Sequence, residues 1–258
     1  LLDHTIGGKV SDAHPEWLPL PVMPLTMSME MMAEAAALLL PGRVLTGMKE
    51  VRAYRWISFD RGTVTLEAVA RLRPDRKEEV DVFLIEADGP SQTPGRPLVE
   101  GTMVFESQYP ETERPTPKEP PGGPSRPSRW QAHELYSGRM FHGPCWQAVR
   151  SIDRWSETGS ISTFEVLPKE RFFEPRRPGQ FLTDPIVLDA AGQIVGFWTM
   201  EHLEEGFLVF PYRLRTLRIY GPPPADHDTV RCLAHIRLSG SHQVVSDIDL
   251  VAADEAPV

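Results

Sequence analysis

The 258-residue chain has only two cysteines, Cys145 and Cys232. Two thiols are too few for a disulfide scaffold or a zinc cluster, so a reducing cytoplasm is the default expectation. Positive charge is also scarce: 27 Lys and Arg stand against 36 Asp and Glu, a net charge of −9. A general nucleic-acid binder needs a basic face to neutralise phosphates, and this balance argues against that class while leaving local basic patches open. No apolar run approaches the roughly 18–20 residues of a membrane span. We expect no signal peptide here, because a histidine and two glycines interrupt the opening "LLDHTIGGKV". An initial methionine is missing, and the chain starts in what reads as the middle of an element. We therefore expect an excised domain of something longer.

What is present describes an ordinary globular protein, 41% hydrophobic and 24% charged. The length suits one large domain or two of about 100–130 residues each. Proline is plentiful, with 26 in the chain, and seven fall in "YPETERPTPKEPPGGPSRPSR" at 109–129. Such a segment buries too little apolar surface to fold and favours an extended, polyproline-like path. It divides the chain into halves 1–108 and 130–258.

Each half carries the same kinds of part. In the first, "VMPLTMSMEMMAEAAALLLPG" (22–42) predicts a helix built of strong helix formers and stopped by Pro-Gly. The runs "MKEVRAYRWISF", "GTVTLEAVARL", "EVDVFLIEA" and "LVEGTMVFES" then predict strands. In the second, "DPIVLDAAGQIVGFWTMEHLEE" (184–205) predicts a helix with Asp184-Pro185 as cap and first turn. Strand runs "SISTFEVL", "FLVFPYRLRTLRIY", "TVRCLAHIRL" and "QVVSDIDLVA" surround it. Both helices are apolar on nearly all sides, which suits burial. The pattern suggests a sheet wrapped around a central helix, given twice; a generic α+β protein with accidentally similar halves is the alternative.

One residue disturbs the second helix. Asp189 lies inside "IVLDAAGQIVGFW", where a charge is costly to bury. Desolvation would favour its protonated form, which a general acid needs. Gln193 follows one turn later on the same face and is placed to orient the carboxyl. Gly192 and Gly196 clear space for a close neighbour. The alternative is a solvent-facing aspartate on an amphipathic helix.

These residues resemble the dehydratase domain of polyketide and related fatty-acid megasynthases, whose fold is the double hot-dog. That family carries Asp-His-x-x-x-Gly followed by a proline near its N-terminus. Here "DHTIGG" supplies Asp3, His4 and Gly8, with the proline displaced by an insertion to Pro24. Its Tyr-Gly-Pro-x-Phe motif is similar to "FHGPCW", with His142 at the tyrosine position, then Gly143, Pro144 and Trp146. Its Asp-x-x-x-Gln/His motif matches "VLDAAGQ", and its Leu-Pro-Phe region is similar to "VFPYRLRTLRIYG" around Pro211 and Tyr212. The wording of the first helix is closer to iterative or polyunsaturated-type synthases.

The resemblance implies elimination of water from a β-hydroxyacyl thioester, with His4 as base and Asp189 as acid brought to one tunnel. Gln193, His142 and Gly8 would support them. Substrate binding would involve Leu25 and Thr26 at the head of the first helix, where free N–H groups polarise the carbonyl, with Gly143, Pro144 and Tyr212. It implies no metal or redox cofactor, a substrate carried on the phosphopantetheine of an acyl carrier protein, neighbouring megasynthase domains, a cytoplasmic location and, as an expectation, a homodimer.

Other readings stay open. His142 either bonds Asp189 or is a turn residue. Met27, Met29, Met31 and Met32 read first as core packing. Cys145, three residues from His142, reads as core rather than nucleophile. Arg171, Arg176 and Arg177 in "KERFFEPRRPGQF" suit an acidic carrier protein, or form an ordinary solvated loop. A product-template or pyran-forming cyclase, or a catalytically silent scaffolding module, would share the fold.

Overall fold

The computed structural model describes residues 3–6, 20–60, 62–87, 97–111, 125–137, 140–172, 181–203, 209–241 and 243–252. In chain order its elements are β1 (Thr5–Ile6), β2 (Leu20–Pro21), α1 (Leu25–Ala37), β3 (Val44–Ala53), β4 (Leu66–Leu72), β5 (Glu79–Glu86) and β6 (Val99–Glu106). Then come β7 (Val149–Ser156), β8 (Gly159–Glu165), α2 (Pro185–His202), β9 (Arg213–Arg218), β10 (Thr229–Ser239) and β11 (Gln243–Ala252). The chain forms two compact units. One comprises Leu1–Glu113, Gln180–Pro185 and Pro211–Pro222; the other comprises Arg114–Gly179, Ile186–Phe210 and Pro223–Val258.

In the first unit a five-stranded antiparallel sheet, ordered β4-β5-β6-β3-β9, lies against α1. Pro24 ends the extended chain with φ −57° and ψ 144°, and the helix starts at the next residue. It is shorter than predicted, because the chain turns after Ala37 through Gly42 at φ +78°. Met29, Met32, Ala33 and Ala36 enter the core, while Met27 and Met31 are half-buried. Helix and sheet meet closely at Gly101, where an added Cβ would lie 2.9 Å from Val51 Cγ2 and 3.2 Å from Met32 Cε.

The strand β9 departs from the expected order. Its run lies in the second half of the sequence, yet Gly47–Arg52 of β3 pair with Arg213–Arg218 in the first unit's sheet. Leu214 and Leu217 are half-buried while Arg213, Arg215 and Arg218 are exposed, a charged edge that discourages further strand pairing.

In the second unit the sheet is ordered β11-β10-β8-β7, again antiparallel. Against it packs α2, whose Trp198 Nε1 donates to the Ser156 carbonyl at 2.9 Å. Phe164, Ile194, Phe197, Trp198, Cys232 and Ala234 are all buried. The sequence offers no alternating signal for β7, and the structure shows why. Two register shifts against β8 leave Val149, Ile152 and Trp155 buried at a spacing of three.

Residues 112–124 of the Pro-rich segment lie outside the described residues. Its end, however, is firmly attached to the last turn of α2. Glu201 accepts from Arg126 Nη1 (2.5 Å), Ser128 Oγ (2.6 Å) and the Arg129 N–H (3.1 Å), and the Arg126 guanidinium sits 4.3 Å over the Trp155 ring. Among the described residues no helix is long and apolar enough to cross a membrane.

Candidate active site

Helix geometry makes the first contact of the second unit's site. Residues four apart on α2 share a face, so Gln193 Nε2 donates to Asp189 Oδ2 at 2.9 Å. Asp189 and Gln193 are 9% and 3% exposed, so the aspartate does not face solvent. Little else on this face is polar: Ile186, Ala190, Ile194 and Phe197 are all buried. Gly192 has open space where a side chain would stand, whereas a Cβ at Gly196 would meet the flexible end of Met140 at 2.9 Å.

His142 is buried, and its Nε2 lies 3.2 Å from the same Asp189 Oδ2. This favours the hydrogen-bonding reading over the turn reading. Its ring stacks on Phe141 (4.2 Å between centroids, 24°), and its carbonyl accepts from Gln147 Nε2 at 2.8 Å. Gly143 and Pro144 then open a short 3-10 turn, Pro144–Trp146, with Gly143 half-buried and Pro144 exposed. That turn delivers the Trp146 carbonyl to Gln193 Nε2 at 2.9 Å. Cys145 is half-buried between them.

A third contact to Gln193 has no signal in the sequence. The Tyr136 hydroxyl donates to Gln193 Oε1 at 2.7 Å and accepts the Val149 N–H at 3.0 Å. Its ring is edge-on to Phe197 at 6.2 Å, and burial drives its phenol well above the ordinary range, so it stays protonated. Tyr136 sits in irregular chain 57 residues from Gln193, where no periodicity or motif marks it.

The first unit holds His4. The ring is buried, and its Nδ1 lies 3.0 Å from the Val22 carbonyl. The Val22 N–H in turn donates to the His4 carbonyl at 3.0 Å. A carbonyl oxygen only accepts, so Nδ1 carries the proton and Nε2 is the basic atom of the neutral ring. Gly8 lies outside the described residues.

Near Val22, α1 begins without a side-chain cap. Its first ladder bond is Ser28 N–H to the Pro24 carbonyl, so the N–H groups of Leu25, Thr26 and Met27 stand outside the ladder at its positive end. Thr26 is buried. Glu30, one turn on and 1% exposed, accepts from the Leu182 N–H (2.5 Å), the Thr183 N–H (2.8 Å) and the Thr183 hydroxyl (2.5 Å). Burial raises its pKa, and these hydrogen bonds oppose the rise. Sequence reading overlooked Glu30 too, although a glutamate among methionines and alanines is the same kind of signal as Asp189.

Of the remaining predicted residues, Tyr212 is 53% exposed, and its carbonyl accepts the Ala53 N–H at 2.8 Å. Arg171 falls in a 3-10 turn, Lys169–Phe172, while Arg176 and Arg177 lie outside the described residues.

Compared with known families, residues 111–258 match the model described as the polyketide synthase dehydratase N-terminal domain, more than half of the chain. No curated protein matches the sequence. Among solved structures, the dehydratase domain of the polyketide PpsC from Mycobacterium tuberculosis is similar with a TM-score of 0.69 at 17% identity, over 93% of this chain and 81% of that one. A trans-AT PKS dehydratase domain from Brevibacillus brevis also gives 0.69, at 16% identity, over 99% and 84%. A third structure, the inactive histidine-to-phenylalanine mutant of the CurK dehydratase, gives 0.63 at 13% identity, over 93% and 80%. These likenesses show the fold, a double hot-dog of the dehydratase type.

Proposed function

Because this chain belongs to the polyketide synthase dehydratase family, a family of hydro-lyases, we propose that it removes water from a β-hydroxyacyl thioester with His4 as base and Asp189 as acid. The α-proton goes to His4 Nε2, and the electron pair of the C–H bond forms the new double bond. The β-carbon to oxygen bond breaks as Asp189 hands its proton to the departing hydroxyl, which leaves as water. Proton exchange then returns the imidazole and the carboxyl to their starting forms.

The observation that carries this reading is the buried carboxyl of Asp189, held on one oxygen by Gln193 within an apolar helix. A solvated aspartate would have no such anchor. The Nδ1–H of His4, committed to the Val22 carbonyl, supports the other role, since it leaves the basic atom on the opposite side of the ring. Loss of activity in the CurK dehydratase with a histidine replaced by phenylalanine agrees with an essential imidazole in this fold. The head of α1 at Leu25 and Thr26 would stabilise enolate charge on the thioester oxygen.

In this reading an acyl carrier protein presents the substrate on its phosphopantetheine arm, inside a cytoplasmic megasynthase, and no metal or redox cofactor takes part. The test is turnover of a carrier-bound 3-hydroxyacyl thioester. His4→Phe and Asp189→Asn should each lower the rate by about 10²–10⁴-fold, the usual scale for general acid–base groups, while circular dichroism shows both variants folded. Near-normal rates in either variant overturn the assignment.

A further inference from the structure

We propose that Tyr136 is a positioning residue for Asp189, acting through the side-chain amide of Gln193. The proposal rests on the reading of Asp189 as the acid, and adds to it a residue that the motifs do not contain.

A phenol has one proton to donate. Tyr136 Oη accepts the Val149 N–H, and its own proton goes to Gln193 Oε1. Both hydrogens on Gln193 Nε2 are likewise engaged, one by the Trp146 carbonyl and one by Asp189 Oδ2, each at 2.9 Å. Rotating the amide by half a turn would set its oxygen against two acceptors. The amide therefore has one orientation, with an N–H aimed at the carboxyl.

Two of its anchors are backbone groups, at Trp146 and at Val149, where β7 begins. The run from Val149 N–H through Tyr136 and Gln193 to Asp189 is thus a directional chain tied to a strand, in which each bond polarises the next. Removing the hydroxyl leaves Gln193 Oε1 without this donor inside the protein and loosens the N–H that holds Oδ2. His142 Nε2, 3.2 Å from that same oxygen, would then compete for the carboxyl's position.

The test uses the purified chain with Tyr136→Phe, Gln193→Leu and the double variant. Tyr136→Phe should lower kcat about tenfold, the scale of one buried hydrogen bond, and leave KM within about twofold. The double variant should be no slower than Gln193→Leu alone, because both changes cut one chain. In the substrate-free protein, the Gln193 side-chain NH₂ signals in a ¹H–¹⁵N spectrum should shift and exchange faster with solvent in Tyr136→Phe. Multiplying rate losses in the double variant, or an unmoved amide signal, overturn the proposal.

Should Tyr136→Phe not fold, 3-fluorotyrosine at this position keeps the ring and makes the hydroxyl a stronger donor. The Gln193 signals must then move, and their failure to do so overturns the link. If the wild-type chain dehydrates no hydroxyacyl thioester, the dehydratase reading fails on its own. The amide spectrum still decides the link: shifted signals sustain it and unmoved ones overturn it.

Discussion

His4 Nδ1 lies 3.0 Å from the carbonyl of Val22, while the Val22 N–H returns a bond of the same length to the His4 carbonyl. The two residues are 18 apart in sequence, and the reciprocal pair seats the imidazole on the chain that leads into α1. Ring orientation and tautomer are thereby tied to the backbone.

Long-range ¹H–¹⁵N correlation of His4 should accordingly show the Nδ1–H tautomer in the neutral ring. A dominant Nε2–H form would remove the basic atom from the position the mechanism requires.

Glu79, almost fully buried, is a second place where charge is organised. Burial pushes its carboxyl up, but Lys49, Arg76 and Arg73, at 2.7, 2.9 and 3.0 Å, outweigh this and bring its pKa down to about 2. The unfolded chain then binds more protons than the folded one. This carboxylate's contribution is full above about pH 4.5 and is lost as pH falls towards 2. Arg76 is exposed and Lys49 and Arg73 are half-exposed, so screening limits the contribution to about 1–2 kcal/mol. Urea melts of wild type and Glu79→Gln should differ by that amount at pH 7 and converge in acid.

Glu30 has the opposite sign. Its pKa is raised by burial from 4.5, so the folded state holds the proton more readily. Relative to Glu30→Gln, wild type should be most stable below about pH 4.5 and lose ground as pH rises. Glu30→Ala should cost about 2–4 kcal/mol, because the donors of Leu182 and Thr183 lose their acceptor. A difference that grows with pH in favour of wild type over the glutamine variant would contradict the assignment.

Two glycines should respond in opposite ways to alanine. A Cβ at Gly47 would fall 2.6 Å from the Leu217 carbonyl oxygen, a backbone atom of the paired strand β9. Gly47→Ala must push the strands apart and should cost about 2–4 kcal/mol. A Cβ at Gly192 would meet nothing within 4 Å on a helix, so Gly192→Ala should gain about 0.5–1 kcal/mol. Thermal melts of the two variants are sufficient to check both signs.

Much of this protein is decided locally. Residues that favour helix mark α1 in the sequence, although it ends at Ala37, ahead of Pro41-Gly42, and one helical turn puts Gln193 beside Asp189 once α2 forms. An aspartate in an apolar helix already announces a buried carboxyl. Elsewhere local preference is silent or misleading. The bulges in β7 erase its alternation. The run at 213–218 is equally a strand beside any edge, and only packing selects β3 as its neighbour. Tyr136, His142 and the Trp146 carbonyl converge on Asp189 and Gln193 from irregular chain, where a hydrogen bond depends on sub-ångström placement and leaves no trace in residue spacing. Short-range sterics and periodicity thus determine the elements and the buried carboxyl. The partners that orient that carboxyl were chosen only when distant surfaces met, because directional bonds between remote residues exist only in the folded chain.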